Sequence, residues 1–277
     1  MTANSAAIEI ISRARAAHAG LKHHRILSGS LAPSATTNRI FAELVQLALH
    51  PANANLANSV MDDLSDDAVL HELYQLCAQG EYQMEHHWSE RIRTAVQPMA
   101  ELRRFPYWQN YLKLARLEVQ ALRQSRPGLK RVLFVGAGPL PLTAFIMAKH
   151  YGLDVTNLDI DGDATCCAAA WMERILGVAS LPCHHIDVLD FTDFSEYDAI
   201  VLAALVGLDS TAKQRVLQHL HTHMQPEQIL LVRSVAGLRR LLYPEVTKSD
   251  LPGFTLTRAI HPRGEVVNSI LLARKTT

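Results

Sequence analysis

The chain carries no surplus charge of either sign: its 27 Lys and Arg match its 27 Asp and Glu. A polyanion or an anionic membrane surface therefore finds no field to follow, which argues against a nucleic-acid or lipid partner. Cysteine is scarce, with Cys77, Cys166, Cys167 and Cys183 its four members among 277 residues. None forms a Cys-x-x-Cys pair, and the adjacent Cys166 and Cys167 make a poor metal fork. A reduced, cytosolic chain is the simple expectation. Long apolar runs are also missing, since no window approaches the roughly 18 apolar residues of a membrane-spanning helix. Met1–Ala17 mixes apolar residues with Glu9, Arg13 and Arg15, which is not a secretory pattern. The expectation is a soluble, cytoplasmic protein.

What remains is 48% apolar and long enough for one large domain or two ordinary ones. Its hydrophobic spacing changes once. Up to about Gly128 the period is helical: Ile40, Phe41, Leu44, Leu47 and Ala48 mark one helix, and Val69, Leu70, Leu73, Leu76 and Cys77 another. The Asn- and Ala-rich segment Pro51–Ser59 between them reads as a turn. Tyr107–Arg123 is a third helix, with Tyr111, Leu114, Glu118 and Ala121 on one face. Ser125-Arg126-Pro127-Gly128 then makes a linker.

Beyond it, short apolar runs at Arg131–Val135, Asp154–Leu158, Cys183–Ile186, Ala199–Leu202 and Ile229–Val232 alternate with helical stretches near Leu140–Tyr151, Asp161–Leu176 and Thr211–Met224. That alternation predicts a parallel sheet with helices on both faces. Phe254–Ile260 and Val266–Ala273 flank His261-Pro262-Arg263-Gly264 and read as a closing hairpin. The predicted architecture is α/β, a Rossmann-like sheet of the class I methyltransferase type, with an N-terminal all-α domain acting as a lid. The domains are 1–127 and 128–277.

Gly136-Ala137-Gly138-Pro139-Leu140-Pro141 follows the first strand and opens a helix. Its glycines let the backbone turn sharply beside a ligand, and the helix start offers free N–H groups. The third glycine of a dinucleotide fingerprint is missing; Pro141 stands there, removing an N–H and adding bulk. A pyrophosphate is therefore disfavoured. Asp159 ends the second strand about 20 residues on, where a carboxylate accepts ribose hydroxyls, and Asp187 ends the third, in position for an adenine amino group. Three such features at successive strand ends point to a nucleoside-bearing cofactor, S-adenosylmethionine rather than a dinucleotide. The expected contacts are Gly136, Ala137, Gly138, Pro139, Asp159, Ile160, Asp187, Val188, Ala203 and Ala204.

Phe134–Thr143, Leu158-Asp159-Ile160-Asp161-Gly162, Leu202–Gly207, Val232-Arg233-Ser234, Leu242-Tyr243-Pro244, Glu85-His86-His87-Trp88-Ser89 and Phe105-Pro106-Tyr107 together resemble nicotianamine synthases and their bacterial relatives in opine-type metallophore synthesis (the staphylopine, pseudopaline and yersinopine type). The resemblance runs from about Gly80 to Lys275. It implies transfer of the 3-amino-3-carboxypropyl (2-aminobutanoate) arm of S-adenosylmethionine, as donor substrate, to an amine, with release of methylthioadenosine. In bacterial members the acceptor is histidine, and a partner opine dehydrogenase takes the product onward. It also implies a homodimer and no metal requirement.

By the same resemblance Glu85 matches the catalytic glutamate and Tyr107 the active-site tyrosine. An α-ammonium is no nucleophile at neutral pH, so a base is required; burial of Glu85 between lid and sheet would tune it upward. Tyr111, Glu118, Arg233 and Tyr243 are carried as acceptor-side contacts. Glu118 is equally readable as a structural acceptor, and Arg233 as the partner of a substrate carboxylate or of a buried Asp. His219 and His223 are spaced i, i+4, yet no third ligand shares their face, so no metal site is expected. Met84, Trp88 and Ala236 depart from the plant pattern and favour a bacterial, single-transfer enzyme. Synthesis of nicotianamine from three S-adenosylmethionine molecules, simple methyl transfer, and a non-enzymatic cofactor-binding module stay open as alternatives.

Overall fold

The computed structural model describes residues 3–177 and 180–276; Met1 and Thr277, the outer limits of the two expected domains, lie outside them. Six helices come first: α1 (Ala3–Ser28), α2 (Ala35–Ala48), α3 (Ala54–Asp66), α4 (Val69–Thr94), α5 (Pro98–Leu102) and α6 (Trp108–Ser125). Then follow β1 (Arg131–Val135), α7 (Leu142–Tyr151), β2 (Asp154–Asp159), α8 (Gly162–Leu176), β3 (Cys183–His185), β4 (Ala199–Leu202), α9 (Ser210–His223), β5 (Ile229–Ser234), β6 (Phe254–Ile260) and β7 (Ser269–Lys275). Among the described residues no helix is long and apolar enough to cross a membrane.

The seven strands run in the order β3-β2-β1-β4-β5-β7-β6. β1 to β5 are parallel, and β7 is antiparallel to both β5 and β6. This is the α/β sheet expected from the class I methyltransferase layout. Alternation along β1 sends Val132 and Phe134 to one face, with α6 and α7, and Leu133 and Val135 to the other, with α9.

Pro51–Ser59 is a correction. Only its first residues turn; Asn53 accepts the Leu56 N–H at 2.9 Å and so starts α3. Ala57, Val60, Met61 and Leu64 then form a buried stripe that the asparagines hid in the sequence. The second hairpin strand also starts at Ser269, three residues after Val266.

α4 joins two cores. Its first half buries Val69, Leu73, Leu76 and Cys77 against α1, α2 and α3, in a core that Leu238, Leu241 and Leu242 of the sheet half complete. Its second half buries Trp88 and Ile92 against Phe145, Ile146, Trp171 and Met172. The stretch between them carries Glu81 and Glu85.

Candidate active site

The loop after β1 is fixed from behind. Gly136 and Ala137 donate N–H to the Leu158 carbonyl at 2.9 and 3.2 Å, and the Trp171 indole donates to the Pro139 carbonyl at 3.2 Å. Gly136 and Gly138 have φ of 78° and 69°, the left-handed region that glycine enters freely. Space requires glycine as well: a Cβ on Gly136 would lie 2.2 Å from Val206 Cγ2, and one on Gly138 would lie 2.6 Å from Glu85 Oε2. The bare Gly138 backbone thus faces the Glu85 carboxylate directly.

Asp159 accepts the Gly138 N–H through Oδ2 at 2.7 Å and the Asp161 N–H through Oδ1 at 2.9 Å. It therefore straps the loop to the end of β2. Asp187 caps the short 3-10 turn Val188–Asp190, accepting the Leu189 N–H at 2.9 Å. Val188 is buried, Ile160 is exposed, and Ala203 and Ala204 are buried just beyond β4. Buried Lys213 holds the Ala204 carbonyl at 3.0 Å. The expected nucleoside contacts thus gather at the carboxyl ends of β1, β2, β3 and β4, where open α/β sheets bind ligands. With the Gly136, Ala137 and Gly138 N–H groups already bonded and Pro139 and Pro141 having none, the loop leaves few N–H groups for a pyrophosphate.

Across the loop, Glu85 is only 9% exposed although it is a carboxylate. The Tyr111 hydroxyl donates to its Oε1 at 3.4 Å. Burial, then the negative charge of Glu81, pushes the Glu85 carboxyl well above its ordinary range; the Leu140 N–H and the Tyr111 hydroxyl pull the other way. Burial, then Glu85 and Glu81, raises the Tyr111 phenol too, so that hydroxyl keeps its proton and stays a donor.

Tyr107 is the N-cap residue of α6, not part of its face, and its ring stands edge-on to Phe105. The phenol in contact with Glu85 is therefore that of Tyr111. Tyr107 lies near Glu81, whose charge adds to the rise that burial causes in its phenol. Glu81 itself had no distinguishing mark in the sequence beyond standing four residues before Glu85. Its Oε2 accepts the Tyr243 hydroxyl at 2.8 Å, and burial raises its carboxyl.

Glu118 and Arg233 choose each other. Arg233 Nε and Nη2 reach Glu118 Oε1 and Oε2 at 2.7 and 3.2 Å, and Nη2 also donates to Thr143 Oγ1 at 2.6 Å. The guanidinium lies 5.0 Å from the Phe134 ring centroid. The buried carboxylate at the sheet is thus a glutamate from α6, not an aspartate.

His219 Nε2 bonds the Phe191 carbonyl at 2.7 Å, and its ring centroid lies 4.5 Å from that of His223. Among the described residues no three His, Cys, Asp or Glu are grouped to hold a metal ion.

Gly138→Ala is expected to lower kcat/KM for the reaction proposed below by tenfold or more. The new methyl group displaces the Glu85 carboxylate, and the left-handed backbone adds about 1–2 kcal/mol of strain, so a fall in Tm of a few degrees should accompany the kinetic loss. Parallel kinetics and thermal melts check this.

Comparison with known proteins agrees on one family. The family described as nicotianamine synthase protein matches residues 17–277. Nicotianamine synthase 1 of Arabidopsis thaliana is 37% identical over 255 residues, covering 89% of this chain and 79% of its own length. The tomato (Solanum lycopersicum) nicotianamine synthase is 36% identical over 252 residues, covering 89% and 78%. Among solved structures, MtNAS in complex with MTA and tNA superposes with a TM-score of 0.83 at 25% identity, over 100% of this chain and 99% of that one. A mutant of MtNAS in complex with S-adenosylmethionine gives 0.82 at 24% identity, over 96% and 98%.

Proposed function

This chain belongs to the nicotianamine synthase family, and from that premise we propose that it transfers the 2-aminobutanoate arm of S-adenosylmethionine to the amine of histidine, releasing methylthioadenosine, as a step of opine-type metallophore biosynthesis. The observation that carries the chemistry is the Glu85–Tyr111 pair, a buried carboxylate and phenol set against the Gly138 backbone. Support for the donor comes from MtNAS, whose structures hold S-adenosylmethionine in one case and MTA with tNA in another.

In this reading residues 128–277 bind the donor and residues 1–127 cap it. Gly136, Ala137, Gly138 and Pro139 line the donor, Asp159 takes the ribose hydroxyls, Asp187 meets the adenine, and Ile160, Val188, Ala203 and Ala204 flank the nucleoside. Bound there, S-adenosylmethionine supplies a sulfonium-activated carbon and a thioether leaving group. Glu85 removes the proton that makes the acceptor ammonium non-nucleophilic, and Tyr111 orients that carboxylate. Tyr107, matched to the family's active-site tyrosine, hydrogen-bonds the amine or helps relay its proton. Positioning of two reactants is the larger share of such catalysis. The acceptor, a homodimeric state, cytoplasmic location and the hand-over to an opine dehydrogenase rest on the resemblance to the bacterial relatives.

The test is product identity. Incubation with S-adenosylmethionine and D- or L-histidine should yield methylthioadenosine and histidine bearing one added arm, read by mass. S-adenosylhomocysteine in place of methylthioadenosine would overturn it in favour of methyl transfer. A second reading, nicotianamine from three S-adenosylmethionine molecules, is favoured by the 37% identity to a plant nicotianamine synthase; a histidine-independent product identifies it.

A further inference from the structure

Glu81 has no task in the reaction as described, yet it stands in the middle of the site. Residues four apart on a helix share one face, so Glu81 and Glu85 look the same way from α4. Tyr243 reaches Glu81 from beyond the 3-10 turn Gly237–Leu241, whose leucines are fixed in the core of α1–α4. The brace is therefore rigid. It holds Glu81 Oε2 at 2.8 Å and leaves Oε1 unclaimed by any hydrogen bond among the described residues.

The charges around the pair do not balance. Glu81 and Glu85 come from α4, and Asp159 from β2. The facing groups are the phenols of Tyr107, Tyr111 and Tyr243, the Cys77 thiol, and Arg233. Arg233 is the cation whose charge reaches Glu81, and it is matched by the bidentate contact with Glu118. Among the described residues no Lys or Arg forms an ion pair with Glu81 or Glu85. Two neighbouring carboxylates without a cation keep a proton between them, or admit a cation.

We propose that Glu81, braced by Tyr243, anchors the acceptor's primary ammonium beside Glu85 and holds the nitrogen in line while Glu85 deprotonates it. This rests on the reaction proposed above. One N–H proton passes to Glu85, and the freed lone pair forms the N–C bond. The C–S bond breaks with its electron pair staying on sulfur, which becomes the neutral thioether of methylthioadenosine. Glu81 keeps an N–H···O bond to the nitrogen throughout and gains no proton. Because the arriving ammonium replaces the proton that the empty pair holds, acceptor binding should release that proton.

The test starts from the wild-type chain with S-adenosylmethionine and the histidine enantiomer that it consumes. If no methylthioadenosine forms with either enantiomer or with S-adenosylmethionine alone, the reaction assignment fails, and the anchor with it. If the product is histidine-independent, S-adenosylmethionine is both donor and amine, so the two KM values cannot be separated and the proton release on its binding to the methylthioadenosine-saturated chain decides alone. Glu81→Gln should raise KM for the acceptor by tenfold or more and leave KM for the donor within about twofold. Acceptor binding to the chain saturated with methylthioadenosine, followed by calorimetry in two buffers of different ionisation enthalpy near pH 7.5, should release about one proton in the wild type and about none in the variant. Tyr243→Phe keeps the carboxylate and guards against a misfolded first variant. It should raise acceptor KM about threefold and preserve proton release. An acceptor KM and proton release both unchanged in folded Glu81→Gln would overturn the anchor, as would an unchanged acceptor KM in Tyr243→Phe should the first variant not fold. A purely structural Glu81 would lower Tm and kcat without separating the two KM values.

Discussion

Glu85→Gln is expected to lower the transfer rate by a factor of about 10²–10⁴, the usual contribution of a positioned general base, while the folded protein loses no stability at neutral pH. Gln keeps the shape of the side chain and one acceptor oxygen, enough for the Tyr111 hydroxyl. What it lacks is a charge to desolvate. Burial and Glu81 hold the Glu85 carboxyl above its value in an unfolded chain. The sign follows from linkage: such a group favours the folded state below its unfolded pKa, and that advantage is lost as pH rises through the folded pKa. Removing the ionisable group should therefore raise Tm at alkaline pH relative to the parent.

The same shift fixes the rate profile. The acid limb of kcat/KM in the parent should lie above the ordinary carboxylate range and be absent from the Gln variant's residual activity. Rapid-quench rates with thermal melts across pH measure both. A Gln variant that turns over within tenfold of the parent would remove Glu85 from the base role.

Arg233→Met is expected to cost about 3–5 kcal/mol, the usual penalty for stranding one partner of a buried ion pair. Glu118 is fully buried, and among the described residues its ion-pair partner is Arg233, which leaves no second cation to neutralise it. In a chain of this length the loss should appear as a drop in Tm of the order of 10 °C. Replacing both partners at once, Arg233→Met with Glu118→Leu, should restore most of it, because two matched apolar groups need no desolvation of charge. The pair of measurements separates the two readings of Arg233 in the sequence. A substrate-binding arginine would raise KM and leave Tm nearly unchanged.

The fold was largely legible because hydrophobic period carries it. β1, β4 and β6 match their sequence runs end to end, and the switch from helical to strand spacing falls at the Ser125–Gly128 break. α3 was not legible, because its apolar stripe is thin and its Asn-rich start looks like a turn in any local reading. α1, read only as helical spacing and not as a separate helix, is faint for a related reason: Ala7, Ile10, Ala14, Ala17 and Leu21 are its buried face, and three of those five are alanines. The loop and Asp159 could be singled out along the chain by their place after β1 and β2, whereas Glu85 stood out through the family resemblance alone. The partnerships could not, since Tyr111 with Glu85, Tyr243 with Glu81 and Glu118 with Arg233 span 26, 162 and 115 residues. Only folding brings those groups together.

α4, 26 residues long, measures about 39 Å at the α-helical rise and is gripped by a different core at each end. A chimera joined at Arg126–Gly128 would therefore carry Glu85 and Glu81 with the helical half and leave the glycine loop and Asp159 with the sheet. If the proposed roles hold, exchanging the N-terminal half between relatives would transplant the base and the proposed ammonium anchor together, while the donor loop stayed the same. The graft has one condition. Tyr243 remains behind with the recipient, so a transplanted helix keeps its full acceptor affinity where its own carboxylate meets that phenol.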